Sequence, residues 1–197
     1  MPAQERKITK ADIAPFDVYV ADRAMRKRAL VAIKKPRRIE VGPFATFYFE
    51  NYDTMLGQVQ EMLHIEKGGD EQIPGELEAY NPLIPQGDEL IATMMLEIED
   101  ATRRNAMLMR LGHVEEKVFI EIGGDRVNAT PTDYEDRTSE DGKTSSVHWL
   151  RFKLDPGQIK AFREGVEQIV LGIGHDNYGH MAVISPEARE ALARDFE

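Results

Sequence analysis

Residues 145–154 read SSVHWLRFKL, and the reading of this stretch sets the architecture. His148, Leu150, Phe152 and Leu154 share one side of an extended chain, and Val147, Trp149, Arg151 and Lys153 share the other, because side chains alternate along a strand. His148 therefore points the way the leucines do. The same period of two recurs over Leu90–Glu97, where Leu90, Ala92, Met94 and Leu96 align, and over Lys117–Ile122, where Val118, Ile120 and Ile122 do. Arg38–Phe49 is broken by Gly42 and Pro43 and predicts two short strands joined by a tight turn. Gln168–Ile173 and Met181–Ile184 predict two more, joined by GHDNYGH.

Between these strands the pattern changes to a helical one. Helices are predicted over Pro15–Ile33, Asn51–Lys67, Gly75–Tyr80, Ala101–Leu111, Pro156–Glu164 and Ser185–Arg194, several opened by a proline or a capping side chain. Helices alternating irregularly with hairpin-like strand pairs predict an α+β fold, a largely antiparallel sheet packed with several helices.

The chain has 197 residues, 42% of them hydrophobic, which suffices for one core, and no Ser/Gly-rich linker divides it. A single domain over residues 1–197 is expected, with a basic N-terminal helix segment at 15–38 and a polar, exposed loop at 130–144. The start MPAQERKITK has no apolar signal-peptide core, and no run reaches the roughly 18 apolar residues of a membrane span. A cytoplasmic protein without membrane contact is the expectation. With no cysteine, the chain can hold no disulfide, no thiolate nucleophile and no cysteine-ligated iron–sulfur cluster.

The formal net charge of −10 is unevenly spread. Arg23, Arg26, Lys27, Arg28, Lys34, Lys35, Arg37 and Arg38 form a segment with no acid inside it. Arg26, Lys27, Arg28, Lys34, Lys35, Arg37 and Arg38 are thus candidates for gripping an acidic partner, or for pairing with the chain's own carboxylates. The segment lacks interleaved aromatics for base stacking, so nucleic-acid binding is not expected.

The helix over Asn51–Lys67 carries Met55, Leu56, Val59, Met62 and Leu63 on one side, with Gln60, Glu61, His64 and Lys67 opposite or flanking. At about 100° per residue, Glu66 falls between Met55 and Val59, inside the apolar stripe. A carboxylate there must be paired, protonated or bound, unless the last turn frays to water before Gly68 and Gly69. An inward Glu66 would find donors in the loops around Tyr80–Asn81 and His175–Tyr178. Glu66, Tyr80, Asn81, His148 and Tyr178 are the candidate ligand-pocket residues. His175, Asp176 and His180 have the chemistry of iron or zinc ligands, which Glu66 could complete; the alternative makes His148 a core histidine on a backbone partner and lets His175 and His180 terminate strands. No HExxH, dinucleotide GxGxxG, phosphate-binding P-loop or GxSxG elbow occurs.

Six strings, FATFYFENYDTM, QVQEMLHIEKGG, ELEAYNPLIP, ELIATMMLEI, DGKTSSVHWLRF and GHDNYGHMAV, follow one another over nearly the whole chain. Together they closely resemble a bacterial domain-of-unknown-function family, number three-five-zero-one. The resemblance brings no activity with it. Members are often encoded beside rubrerythrin-like proteins and iron–sulfur oxidoreductases, which implies a role near peroxide or redox metabolism. The expectation is a binding or accessory protein that docks a redox partner, and the alternative is a small metal-binding or acid–base enzyme with a Glu/His pocket.

Overall fold

A computed structural model describes residues 6–132, 137–165 and 168–196. Its strands are β1 (Arg38–Val41), β2 (Ala45–Phe49), β3 (Glu89–Leu96), β4 (Val118–Ile122), β5 (Asp125–Asn128), β6 (Thr130–Pro131), β7 (Val147–Lys153), β8 (Ile169–His175) and β9 (Tyr178–Val183). They form two antiparallel sheets, in the orders β1-β2-β3-β7-β6 and β5-β4-β8-β9. The fold class is α+β. Where one sheet was expected there are two, because the apolar faces need an opposing layer to bury them. Phe47, Phe49, Leu90, Met94, Leu150 and Phe152 of the first sheet meet Ile120, Ile169, Leu171 and Ile173 of the second in one core. The chain crosses between sheets at Ala129, and β1 packs against β9 on the other side.

The helices are α1 (Phe16–Lys34), α2 (Tyr52–Glu66), α3 (Ile73–Tyr80), α4 (Ala101–Arg110), α5 (Pro156–Glu164) and α6 (Pro186–Ala193). The outward face of the five-stranded sheet is covered by α2 and the segment after α3, through a second core of Ile8, Met55, Val59, Leu83, Ile84 and Ile91. Helix α1 lies on α2 and buries only Tyr19. It is fastened at its end by Arg37, which donates to the carbonyls of Phe49 (2.9 Å), Glu50 (3.0 Å) and Ala191 (3.0 Å) and to the Asp195 carboxylate.

Three local expectations change. The segment 130–144 is not simply exposed: Thr130–Pro131 pairs with β7, and Thr138 and Thr144 bridge to each other, both buried. Residues 133–136 of that segment lie outside the described residues. Strand β5 was not foreseen because DRVN is short and polar, and it forms by pairing with β4 after the Gly123–Gly124 turn. Strands β8 and β9 extend into GHDNYGH, pairing His175 with Tyr178 across a two-residue turn.

Candidate functional site

Helix α2 starts where Asn51 accepts from the Thr54 amide (3.0 Å) and its own amide donates to Thr54 Oγ1 (2.9 Å). It ends at Lys67, not at the glycines: Lys67 takes the left-handed conformation (φ 56°) and its amide donates to Leu63 O at 3.1 Å. A non-glycine residue held there is strained by about 1 kcal/mol or more. The apolar stripe packs on the sheet only up to Leu63. Past that point Glu66, in the last turn, is exposed, and Ile65, off the stripe, is 63% exposed. Glu66 accepts from Gln72 Nε2 at 2.7 Å.

The side of α2 that reads as polar is instead the one α1 covers. Glu61 accepts from Tyr19 Oη (2.5 Å), from Arg23 through Nε and Nη2 (both 2.8 Å), and from Lys27 Nζ (3.3 Å). The Arg23 guanidinium, with Tyr19 and Lys27 behind it, holds the Glu61 carboxyl at about 2, against an ordinary 4.5. Burial, and then the bond to Glu61, push the Tyr19 phenol well above its usual 10.0. Lower on the same interface, α1 and α2 approach closely at Gly57, where an added Cβ would meet Leu30 at 2.6 Å.

Beside the Glu61 network lies a cleft of about 520 Å³ between the start of α1 and the second half of α2. Its walls are apolar: Ile13, Pro15, Phe16, Leu63 and Ile73, with Tyr19 at the back and Lys10, Lys67 and Asp70 at the mouth. Lys10 is paired with Asp70 at 2.7 Å, whereas Lys67 has no acidic partner among the described residues. Two polar side chains one helical turn apart face this cleft. Gln60 is 4% exposed; its Nε2 lies 3.5 Å from Ala14 O, and its Oε1 is buried without a donor among the described residues. The ring of His64 stacks on Phe16 at 5.7 Å and meets Tyr19 edge-on at 6.0 Å, and its Nδ1 is buried and unpaired. Each such atom costs roughly 1–3 kcal/mol, and native folds leave few of them.

The residues singled out from sequence fall elsewhere: those of the β8–β9 hairpin lie together, and the others are dispersed through the fold. Asn81 pins the N-terminal segment, accepting from the Ile8 amide (2.7 Å) and donating to Ile8 O (3.0 Å). Tyr80 is half-buried in a different cavity, where its hydroxyl lies 3.5 Å from Gln58 Nε2. His148 is 1% exposed in the sandwich, with Nε2 on Ser145 O at 2.9 Å and Nδ1 3.5 Å from Glu115. Tyr178 donates to Val41 O (2.8 Å) and accepts from the amides of Phe44 (2.8 Å) and Ala45 (3.0 Å), tying β9 to the β1–β2 turn. His175 has both ring nitrogens engaged, Nε2 with Gly112 O (3.2 Å) and Nδ1 with the Asn177 amide (3.1 Å). His180 packs edge-on against Tyr178 at 4.6 Å, and Asp176 is exposed. Among the described residues no three His, Asp or Glu side chains form a group that could hold a metal ion.

The basic segment divides likewise. Arg37 is 4% exposed and internal, not a docking residue. Arg23 and Lys27 serve Glu61, Arg26 lies 3.8 Å from Asp22, and Arg38 reaches Glu40 at 2.5 Å. Arg28, Lys34 and Lys35 have no acidic partner among the described residues. No described helix is long and apolar enough to cross a membrane. Sequence inspection missed Gln60 and His64 as a pair because both lie on the polar side of the wheel. The signal available was the match of Arg23 and Lys27 on one helix to Glu61 on the other.

Comparison with curated proteins returns no match. A crystal structure described as a novel protein of unknown function from Burkholderia pseudomallei superposes with a TM-score of 0.88 and 33% sequence identity, covering 97% of this chain and 100% of that one. Residues 7–196 match the sequence model of the family described as "Protein of unknown function (DUF3501)". That match spans nearly the whole chain, and the protein belongs to the DUF3501 family.

Proposed function

We propose that the protein is a small-molecule binding protein and that its ligand occupies the α1–α2 cleft. The observation that carries this reading is the pair of buried polar atoms, Gln60 Oε1 and His64 Nδ1, left without partners at an apolar cavity of about 520 Å³. Gln60 Oε1 accepts only, so the ligand brings an N–H or O–H donor to it. Phe16, Leu63 and Ile73 suit a flat apolar body, and Lys67 at the mouth suits an acidic group. Binding needs no reacting group in the cleft. Tyr19 is held protonated by burial and by Glu61, which is itself saturated with donors.

The dye 8-anilinonaphthalene-1-sulfonate carries the three features together, fused rings, an N–H and an anionic group. A fluorescence titration of the folded protein at neutral pH should saturate at one dye per chain. Gln60→Leu should weaken binding about tenfold, the worth of one buried hydrogen bond, and His64→Phe should weaken it as well. Equal affinity in all three proteins would remove the cleft from consideration.

A second reading, docking of a redox partner, is supported by the outer side of α1. Val18 and Met25 are 46% and 57% exposed there, on the same helix as Arg28, and Arg28 and Lys35 have no acidic partner among the described residues. The redox character of such a partner rests on the family resemblance alone. Charge reversal at Arg28 and Lys35 should abolish co-purification with an iron–sulfur or rubrerythrin-like neighbour; retention of the complex would rule out docking through α1.

A further inference from the structure

A second cavity, of about 340 Å³, lies between α2 and the outward face of the five-stranded sheet and shares no lining residue with the α1–α2 cleft. Its floor is set by strand register. Tyr48 of β2 pairs with Thr93 of β3, and Thr93 with Trp149 of β7, so these three side chains form one row across the sheet. Glu50 follows β2 directly and is 5% exposed. Its two carboxylate oxygens accept from Thr54 Oγ1 (2.6 Å) and Thr93 Oγ1 (2.7 Å), and no basic side chain pairs with it among the described residues. Tyr80, carried by the end of α3, supplies a third ring, and Lys34, the last residue of α1, lines the same space without an acidic partner.

A carboxylate this deeply buried is stable as an anion only with a cation or several donors, and each oxygen here has one hydroxyl. The rings around it are disposed to cations. Trp149 already carries the Arg137 guanidinium at 4.5 Å and Tyr48 that of Arg38 at 5.8 Å, and neither arginine lines the cavity. Lys34, partly exposed at the same cavity, supplies a cation that a ligand carboxylate can reach. We infer that this cavity binds a small zwitterion of the amino-acid or betaine class, with its ammonium held by Glu50 among Tyr48, Tyr80 and Trp149 and its carboxylate held by Lys34.

Isothermal titration of the full chain with leucine, glycine betaine, leucinamide and N-acetyl-leucine tests this. Leucine should bind saturably, and glycine betaine should compete with it. Leucinamide, lacking the carboxylate, and N-acetyl-leucine, lacking the ammonium, should each bind about tenfold or more weakly than leucine. Glu50→Gln should weaken zwitterion binding by a similar factor, since both threonine hydroxyls can rotate to serve the amide. Lys34→Met, on the helix surface, should do so without touching the floor. Circular dichroism confirms the fold of each variant, and if Glu50→Gln fails to fold, Lys34→Met and Tyr80→Leu decide the matter. No binding by leucine, no competition by betaine, equal binding of the blocked compounds, or full affinity in every folded variant would overturn the assignment.

Discussion

The hairpin of β8 and β9 and the crossing of α1 with α2 are both rich in histidine, aromatic and acidic side chains, yet they differ in what those side chains still need. In the hairpin, His175 has two partners and Tyr178 three. At the helix crossing, Glu61 is saturated, but Gln60 and His64, on the same helix, each keep one buried atom unpaired. Residue types that attract the eye in a sequence are therefore no guide to a site when the fold consumes their hydrogen bonds. What marks the cleft is valence left over next to empty space.

Substitutions ranked by size sharpen this contrast. Arg37→Met should be the most severe, about 3–5 kcal/mol, because it leaves Asp195 a buried charge without its cation and orphans three carbonyls; urea unfolding measures it. Tyr178→Phe removes the one hydroxyl that satisfies two amides and a carbonyl and should cost about 1–3 kcal/mol in the same assay. A loss below about 0.5 kcal/mol would mean that the hairpin is not held as described.

Acid acts next, through Glu61. Its folded-state value of about 2 lies below the ordinary 4.5, so its contribution is complete above pH about 4.5, shrinks as pH falls, and is gone below about 2. Arg23 and Lys27 are 35% and 51% exposed, and solvent screening limits the effect to about 1–2 kcal/mol. The stability difference between the wild type and Glu61→Gln should therefore level off above pH 5 and vanish towards pH 2; a difference independent of pH would contradict the assignment. The smallest effect belongs to the cleft itself. Gln60→Leu replaces an amide with an unpaired oxygen by a side chain of similar volume, and stability should change by less than about 1 kcal/mol, in the stabilising direction if at all. A large loss would show that Gln60 is structural.

The elements were legible and their assembly less so. The alternation in Val147–Lys153 and the capping at Asp155–Pro156 place β7 and α5 directly, because pattern and cap chemistry are local. That the strands divide into two facing sheets is not local, and nor is the burial of Thr138 and Thr144 inside a polar segment. Glu66 shows the limit most clearly. The wheel sets it inside the apolar stripe, but a helical wheel does not show how far along a helix the burial extends, and in the last turn of α2 Glu66 is exposed. Gln60 and Glu61 failed in the opposite sense, since a polar helix face looks solvated until a basic helix is laid on it.

Chemical-shift mapping of the uniformly 15N-labelled protein with 8-anilinonaphthalene-1-sulfonate at neutral pH shows whether the α1–α2 cleft takes a ligand. Saturable shifts should centre on Phe16, Tyr19, Gln60, His64 and Lys67 and be lost in Gln60→Leu, with the amides of His175–His180 unmoved. Shifts confined to the β8–β9 hairpin or to the outer side of α1, or the same cleft shifts in Gln60→Leu, would contradict binding in the cleft.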